Sequence, residues 1–255
     1  MIAADEGPTV EFHNLDGKGD IVLICEHANN RLPRSLGDLG LDAEALSSHI
    51  AWDPGAADVA KLMATALDAP LVLQRFSRLV YDCNRPPEAE SAIPVRSEVF
   101  DIPGNVGLTT AGRQERVDAI YRPFRAAVAS VLDHRIGGGV APLVVTIHSF
   151  TPVYHGQRRS VELGLLHDVD RTLADVMLNA TAGWTDLVVR RNEPYGPDDG
   201  VTHTLQVDAI ARGLKNVMIE VRSDLIATPA EQEAMAARLS DLVKEALRRL
   251  APAAT

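Results

Sequence analysis

Short, continuous apolar runs that stop at ionisable residues restrict this fold more than any other feature of the chain. Ile21–Cys25 runs into Glu26 and His27, and Leu143–Ile147 runs into His148. A strand that is apolar at every position has both faces covered, which is the habit of a mainly parallel sheet held between helices. Further strand candidates are Pro70–Gln74, Leu79–Asp82, Glu162–His167, Leu187–Arg190 and Val217–Val221. Longer amphipathic stretches separate them: Asp53–Leu67, Thr110–Ile136, Val169–Ala180, Thr204–Gly213 and Pro229–Leu250 read as helices. The last carries Thr228, Pro229 and Glu231 as a start signal. The alternation predicts an α/β chain folded as a three-layer α/β/α sandwich. No repeat, low-complexity linker or composition break divides the 255 residues, so one domain over 1–255 is expected, with its core from about residue 20 to 250.

Charge narrows the partners. Lys plus Arg number 25 against 35 Asp plus Glu, a net charge of −10, with no basic run, which argues against nucleic acid and anionic membranes. The acidic, polar N-terminus lacks the pattern of a secretory signal. No apolar run approaches the roughly 20 residues of a membrane span. Cys25 and Cys83 lie in apolar stretches and read as reduced, buried thiols. A soluble, cytoplasmic protein is expected. Neither a dinucleotide fingerprint nor a P-loop occurs, and Ser77 and Ser149 lack a G-x-S-x-G elbow. Gly137–Gly139 follows a helix and reads as its cap.

Chemistry concentrates at strand ends, where open α/β sheets bind ligands. His27 and His148 each follow an apolar strand. Imidazole is a preferred zinc ligand, and a catalytic zinc needs three protein ligands with a position left for water. Asp53, in the loop before a helix, could supply the carboxylate; it could equally be that helix's N-cap, with Pro54 at its first position. Glu26 and Asn30 rank lower, because Glu26 alternates away from His27 and an amide oxygen is a poor zinc ligand. Glu220 interrupts an apolar strand, and a buried glutamate needs a partner or a task. It reads either as a general base or as the ion-pair partner of Arg222 on the same strand face. Arg78 and Arg85 bracket a short segment and offer planar forks for a carboxylate, or for neighbouring acids. His203 follows a loop rich in Gly and Pro and reads as an oxyanion donor or as a solvated residue beside a capping Thr202.

Taken in order, CEHANNRLP, HIAWDPGA, FSRLVYDCNRP, TIHSFTP, NEPY with GVTHT, and IEVRSDLI resemble the N-formylglutamate amidohydrolase family, over residues 21 to 226. More distantly they are similar to zinc carboxypeptidases. His148-Ser149-Phe150 looks like the strand-end zinc ligand of that group, Asn84-Arg85 like its carboxylate-binding pair, and Glu220 like its catalytic glutamate. The departure is Asn30, where His-x-x-Glu would place a glutamate: either Asp53 takes the carboxylate position, or metal binding is weak or lost. The resemblance implies a mixed sheet, a zinc cofactor, and hydrolysis of an N-acyl amide on an acidic amino acid such as N-formyl-L-glutamate, within histidine breakdown. It implies His27, Asp53 and His148 as metal ligands and Glu220 as base. It also implies Asn84, Arg85, Arg78 and Arg222 around the substrate carboxylates, and His203 at the oxyanion. A zinc peptidase or cell-wall peptide amidase, and a metal-free binding protein for a small acidic ligand, stand as alternatives.

Overall fold

The computed structural model describes residues 1–251. A seven-stranded sheet runs through it in the order β1 (Val10–His13), β3 (Leu71–Gln74), β2 (Ile21–Cys25), β6 (Leu143–Phe150), β11 (Asn216–Arg222), β9 (Leu163–Leu166) and β10 (Val189–Arg191). Strands β3, β2, β6 and β11 are mutually parallel. At the edges, β1 runs antiparallel to β3, and β9 runs antiparallel to β11. The sheet is therefore mixed and mainly parallel. Two short hairpins lie outside it, β4 (Arg96–Ser97) with β5 (Phe100–Asp101), and β7 (Val153–Tyr154) with β8 (Gln157–Arg158).

Strand alternation sorts the side chains into two cores. Ile21, Leu23, Val145, Ile147, Val217 and Ile219 face α2 (Ala56–Ala66), α5 (Thr172–Thr181) and α6 (Pro229–Leu250). Val22, Ile24, Val72 and Val144 face the other layer, where Phe124 and Val128 sit on α4 (Arg122–Gly137). A short helix, α1 (Ala43–Ser47), packs under the loops beyond β2. Helix α6 starts as its sequence signals: the Thr228 hydroxyl accepts from the Glu231 amide, and Glu231 reaches back to the Thr228 amide. Gly138 and Gly139 close α4 by donating to His134 and Ile136. Cys25 and Cys83 are buried free thiols.

Several expectations are corrected. Leu79–Asp82 is a turn, not a strand, because Ser77 captures the amides of Leu79 and Val80 and curls the chain there. Helix α2 begins at Ala56 instead of Asp53, after Gly55 at φ +79; a Cβ there would stand 2.5 Å from the Ile226 carbonyl oxygen. The long helix predicted over Thr110–Ile136 comprises α3 (Thr110–Arg116) and α4, joined by a π-helical turn at Val117–Tyr121. Residues 204–213 form π and 3₁₀ turns rather than a regular helix. The edge strand β1 gave no apolar run, since Glu11 and His13 alternate with Val10 and Phe12.

Register links this scaffold to the site. His148 on β6 pairs with Glu220 on β11, and Glu220 pairs with Gly164 on β9. A Cβ on Gly164 would stand 2.2 Å from the Glu193 carbonyl oxygen and 3.2 Å from the Glu220 Cβ. Gly164→Ala is accordingly expected to cost about 1–3 kcal/mol by overpacking. Urea unfolding measures this, and an unchanged midpoint would show that β9 shifts freely.

Candidate metal centre and active-site cavity

The carboxyl ends of β2, β6 and β11 reach one edge of the sheet, and the residues there build the centre. His27 follows β2, His148 lies near the end of β6, and Glu220 lies near the end of β11. Asp53 is brought in by the β2–α2 loop, whose Asp53 amide donates to the His27 carbonyl at 2.9 Å. The Ser77 hydroxyl pins the same loop by donating to the Ala51 carbonyl at 2.6 Å.

Asp53 is the hub. Its Oδ2 lies 2.9 Å from His148 Nδ1, 3.3 Å from His27 Nδ1 and 3.2 Å from the Ser149 amide, while Arg78 Nη1 reaches Oδ1 at 3.3 Å. The carboxylate thus serves the histidines, and the helix-cap reading of Asp53 falls away. Each ring's outer nitrogen also meets a carboxylate. His27 Nε2 is 2.7 Å from Asp82 Oδ1, and His148 Nε2 is 3.1 Å from Glu26 Oε2, off the line of a well-formed hydrogen bond. Asp82 is held in turn by Arg78 at 2.7 Å and by the Asn84 amide at 2.9 Å.

The electrostatics follow from burial. Glu26, Asp53, Asp82 and Glu220 are each no more than 5% exposed. These four carboxylates face the guanidinium of Arg78 and the two imidazoles, whose protons they help to hold. Burial opposes ionisation of Asp53, but the two histidines outweigh it and hold its carboxyl well below the usual range. Glu26 follows the same pattern through His148. Burial likewise opposes a charge on His148, yet Glu26 and Asp53 drive its affinity for a proton well up. His27 is raised too, Asp82 and Asp53 prevailing over burial and Arg78.

A divalent cation suits this arrangement. Ligand atoms of His27, Asp53 and His148 lie within 4.8 Å of one another. Ligand bonds of about 2.0–2.1 Å set tetrahedral neighbours about 3.3 Å apart, close to the 2.9 and 3.3 Å found around Asp53 Oδ2. Carboxylates behind both rings orient them and raise their basicity, as metal-binding histidines require.

Glu220 completes the cavity. Its Oε2 is buried without a partner, and burial, opposed by His148, pushes its carboxyl up to about 7. The cavity measures about 290 Å³ and is lined by His27, Asp53, His148 and Glu220 together with Arg78, Asn84 and Arg85. The predicted site residues separate here. Asn84 lines the cavity with its amide engaged, donating to the Val201 carbonyl and accepting from the Thr204 amide. Arg85 lines it with only a backbone contact, to the Asn84 carbonyl. Asn30 turns away and donates to Leu46. Arg222 is absent from the lining and pairs with Glu162 and Asp224. His203 is also absent from it; its Nε2 lies 2.8 Å from the Tyr121 hydroxyl, and burial beside Arg125 pushes it down to about 4.

Sequence reasoning singled out neither Asp82, Tyr154, Tyr195 nor His49, the last three of which line the cavity. Asp82 had a signal, an acid amid apolar residues between two arginines. The aromatic residues sat in loops whose path sequence does not reveal.

Fold and site together define an α/β-sandwich hydrolase of amide bonds. The chain belongs to the N-formylglutamate amidohydrolase family, whose sequence profile matches residues 19–227. A solved gene product of Agrobacterium tumefaciens is 54% identical, with 98% of each chain covered and a TM-score of 0.96. An N-formylglutamate amidohydrolase from Ralstonia eutropha shares the fold at 19% identity and a TM-score of 0.65, covering 95% of this chain and 99% of its own. No curated protein matches the sequence.

Two outcomes are expected. Asp82→Asn removes the carboxylate behind His27 and should weaken binding of a divalent cation such as zinc about 10- to 100-fold, read by competition with a chromogenic chelator. His203 holds its proton less tightly folded, at about 4, than at its ordinary 6.5. Its contribution to stability is complete above about 6.5 and declines as pH falls toward 4. Unfolding titrations should show a shallower acid slope for His203→Gln.

Proposed function

We propose that this protein hydrolyses the N-formyl amide of N-formyl-L-glutamate, or of a closely related N-acyl amino acid, with zinc held by His27, Asp53 and His148. One observation carries the reading: a buried carboxylate with an oxygen unpartnered among the described residues, Glu220, shares a cavity with a three-residue cluster of candidate metal ligands. Zinc in that cluster supplies Lewis acidity, drawing the pKa of a water toward about 7 and polarising a carbonyl. Glu220 accepts the proton of the attacking water. It then returns that proton to the amine nitrogen as the C–N bond breaks, so that one water and one amide give formate and a free amino acid. Its burial gives it a proton affinity suited to both transfers.

Arg85, free of any carboxylate partner among the described residues, holds a substrate carboxylate through its planar fork. Asn84 ties the Arg85 segment to the 201–204 loop and so sets where that fork points. Arg78 keeps Asp53 and Asp82 ionised and in place. In this reading Arg222 and His203 act outside the cavity. A cavity of about 290 Å³ suits a small ligand better than the extended groove of a peptidase or cell-wall amidase. No helix among the described residues is long and apolar enough to cross a membrane. Buried free thiols agree with a reducing, cytoplasmic setting, and the proposed substrate with histidine breakdown.

The deciding experiment joins metal analysis of untagged protein to formate release from N-formyl-L-glutamate. About one zinc per chain and activity abolished by chelation and restored by zinc are expected. Glu220→Gln should retain zinc while kcat drops about 10²- to 10⁴-fold. Protein that takes up no zinc and releases no formate after zinc is supplied would overturn the reading.

A further inference from the structure

A substrate with two carboxylates needs two cationic contacts, and the predicted arginines supply one. Arg78 is committed to Asp53 and Asp82, and Arg222 to Glu162 and Asp224. Arg85 remains. One further guanidinium lacks a carboxylate partner among the described residues: that of Arg159, just beyond the β7–β8 hairpin, which is not itself in the cavity lining but packs against three aromatic residues that are.

Arg159 is built into place. Its guanidinium carbon lies 4.5 Å from the centre of the Tyr154 ring, 4.8 Å from that of Tyr195 and 5.5 Å from that of Phe150. All three rings line the cavity. Its backbone is clamped on both sides, the amide donating to Pro152 and the carbonyl accepting from Arg222 at 3.4 Å. The side chain donates to the Thr151 carbonyl at 3.3 Å and also reaches the Tyr195 hydroxyl, which leaves further donors uncommitted among the described residues. Aromatic stacking immobilises such a head and strips its water, so an incoming carboxylate meets a fork already oriented. Its charge is felt within the cavity wall, where it partly offsets the effect of burial on the Tyr195 hydroxyl.

Resting on the reading above, we infer that Arg159 binds the side-chain carboxylate of the N-acyl amino acid and makes the enzyme select acidic over neutral substrates. Arg85 then takes the α-carboxylate, and the two guanidinium groups fix the amide between them over the metal ligands and Glu220. Arg222 is a positioning residue in this scheme, since it holds the Arg159 carbonyl.

The test compares wild type, Arg159→Met and Arg159→Lys on N-formyl-L-glutamate and its neutral isostere N-formyl-L-glutamine. Arg159→Met should reduce kcat/KM for the glutamate substrate at least about 10-fold, mainly through KM, and change the glutamine substrate less than about 3-fold. Arg159→Lys should recover part of the loss. A glutamate-to-glutamine ratio that Arg159→Met leaves unchanged would overturn the inference. Calorimetric binding of L-glutamate and L-glutamine separates this from failure of the hydrolase reading. If wild type releases no formate from either substrate, weaker binding of L-glutamate alone by Arg159→Met still supports the carboxylate contact, and equal binding rejects it.

Discussion

The Asp53 carboxylate, buried between two imidazoles and a guanidinium, is the interaction on which the rest of this structure depends. An isolated charge cannot be removed from water at tolerable cost, so every neighbour of Asp53 is conditioned by it. His27 and His148 turn their Nδ1 atoms toward it, Arg78 bridges it to Asp82, and the Ser149 amide closes the shell. Three further buried carboxylates gather around the same group. The ligand atoms of His27, Asp53 and His148 that the Asp53 carboxylate gathers are compatible with a bound metal ion.

Strand geometry supplies the rigidity that such a cluster needs. His148 and Glu220 lie at paired positions on adjacent parallel strands, so a metal ligand and the proposed base are held by the central sheet rather than by loops. Gly164 clears the space beside Glu220 that any larger residue would fill. The loops contribute Asp53 to the cluster and, farther out, Arg85 and the hairpin leading to Arg159. Specificity and chemistry are therefore carried by different parts of the chain, one aromatic and cationic, the other acidic and imidazole-rich.

Much of this was legible beforehand. Apolar runs marked β2, β6 and β11, and the ionisable residues where they end marked His27, His148 and Glu220. Asp53 was legible only as one of two options, because an N-cap and a metal ligand present the same local sequence. Leu79–Asp82 misled, since an apolar run of four residues fits a turn as readily as a strand until its hydrogen-bond partners are known. Asp82 was legible only as an ion-pair partner for the flanking arginines, not as the carboxylate behind His27, and Arg159 escaped notice because an arginine in a loop is usually solvated and only the packing around it reveals otherwise.

The sequence by itself determined the layers, the sheet's central strands, the starts of α3 and α6 and the residue types available at strand ends, because periodicity, capping and apolar runs are local properties of the chain. Tertiary structure alone decided that residues 27, 53, 82, 148 and 220 meet, that Arg78 and Arg222 are consumed by internal acids, and that Arg85 and Arg159 have no carboxylate partner among the described residues. Those outcomes depend on strand order and on loops crossing between strands, and on the competition of buried charges for partners that lie far apart in the chain.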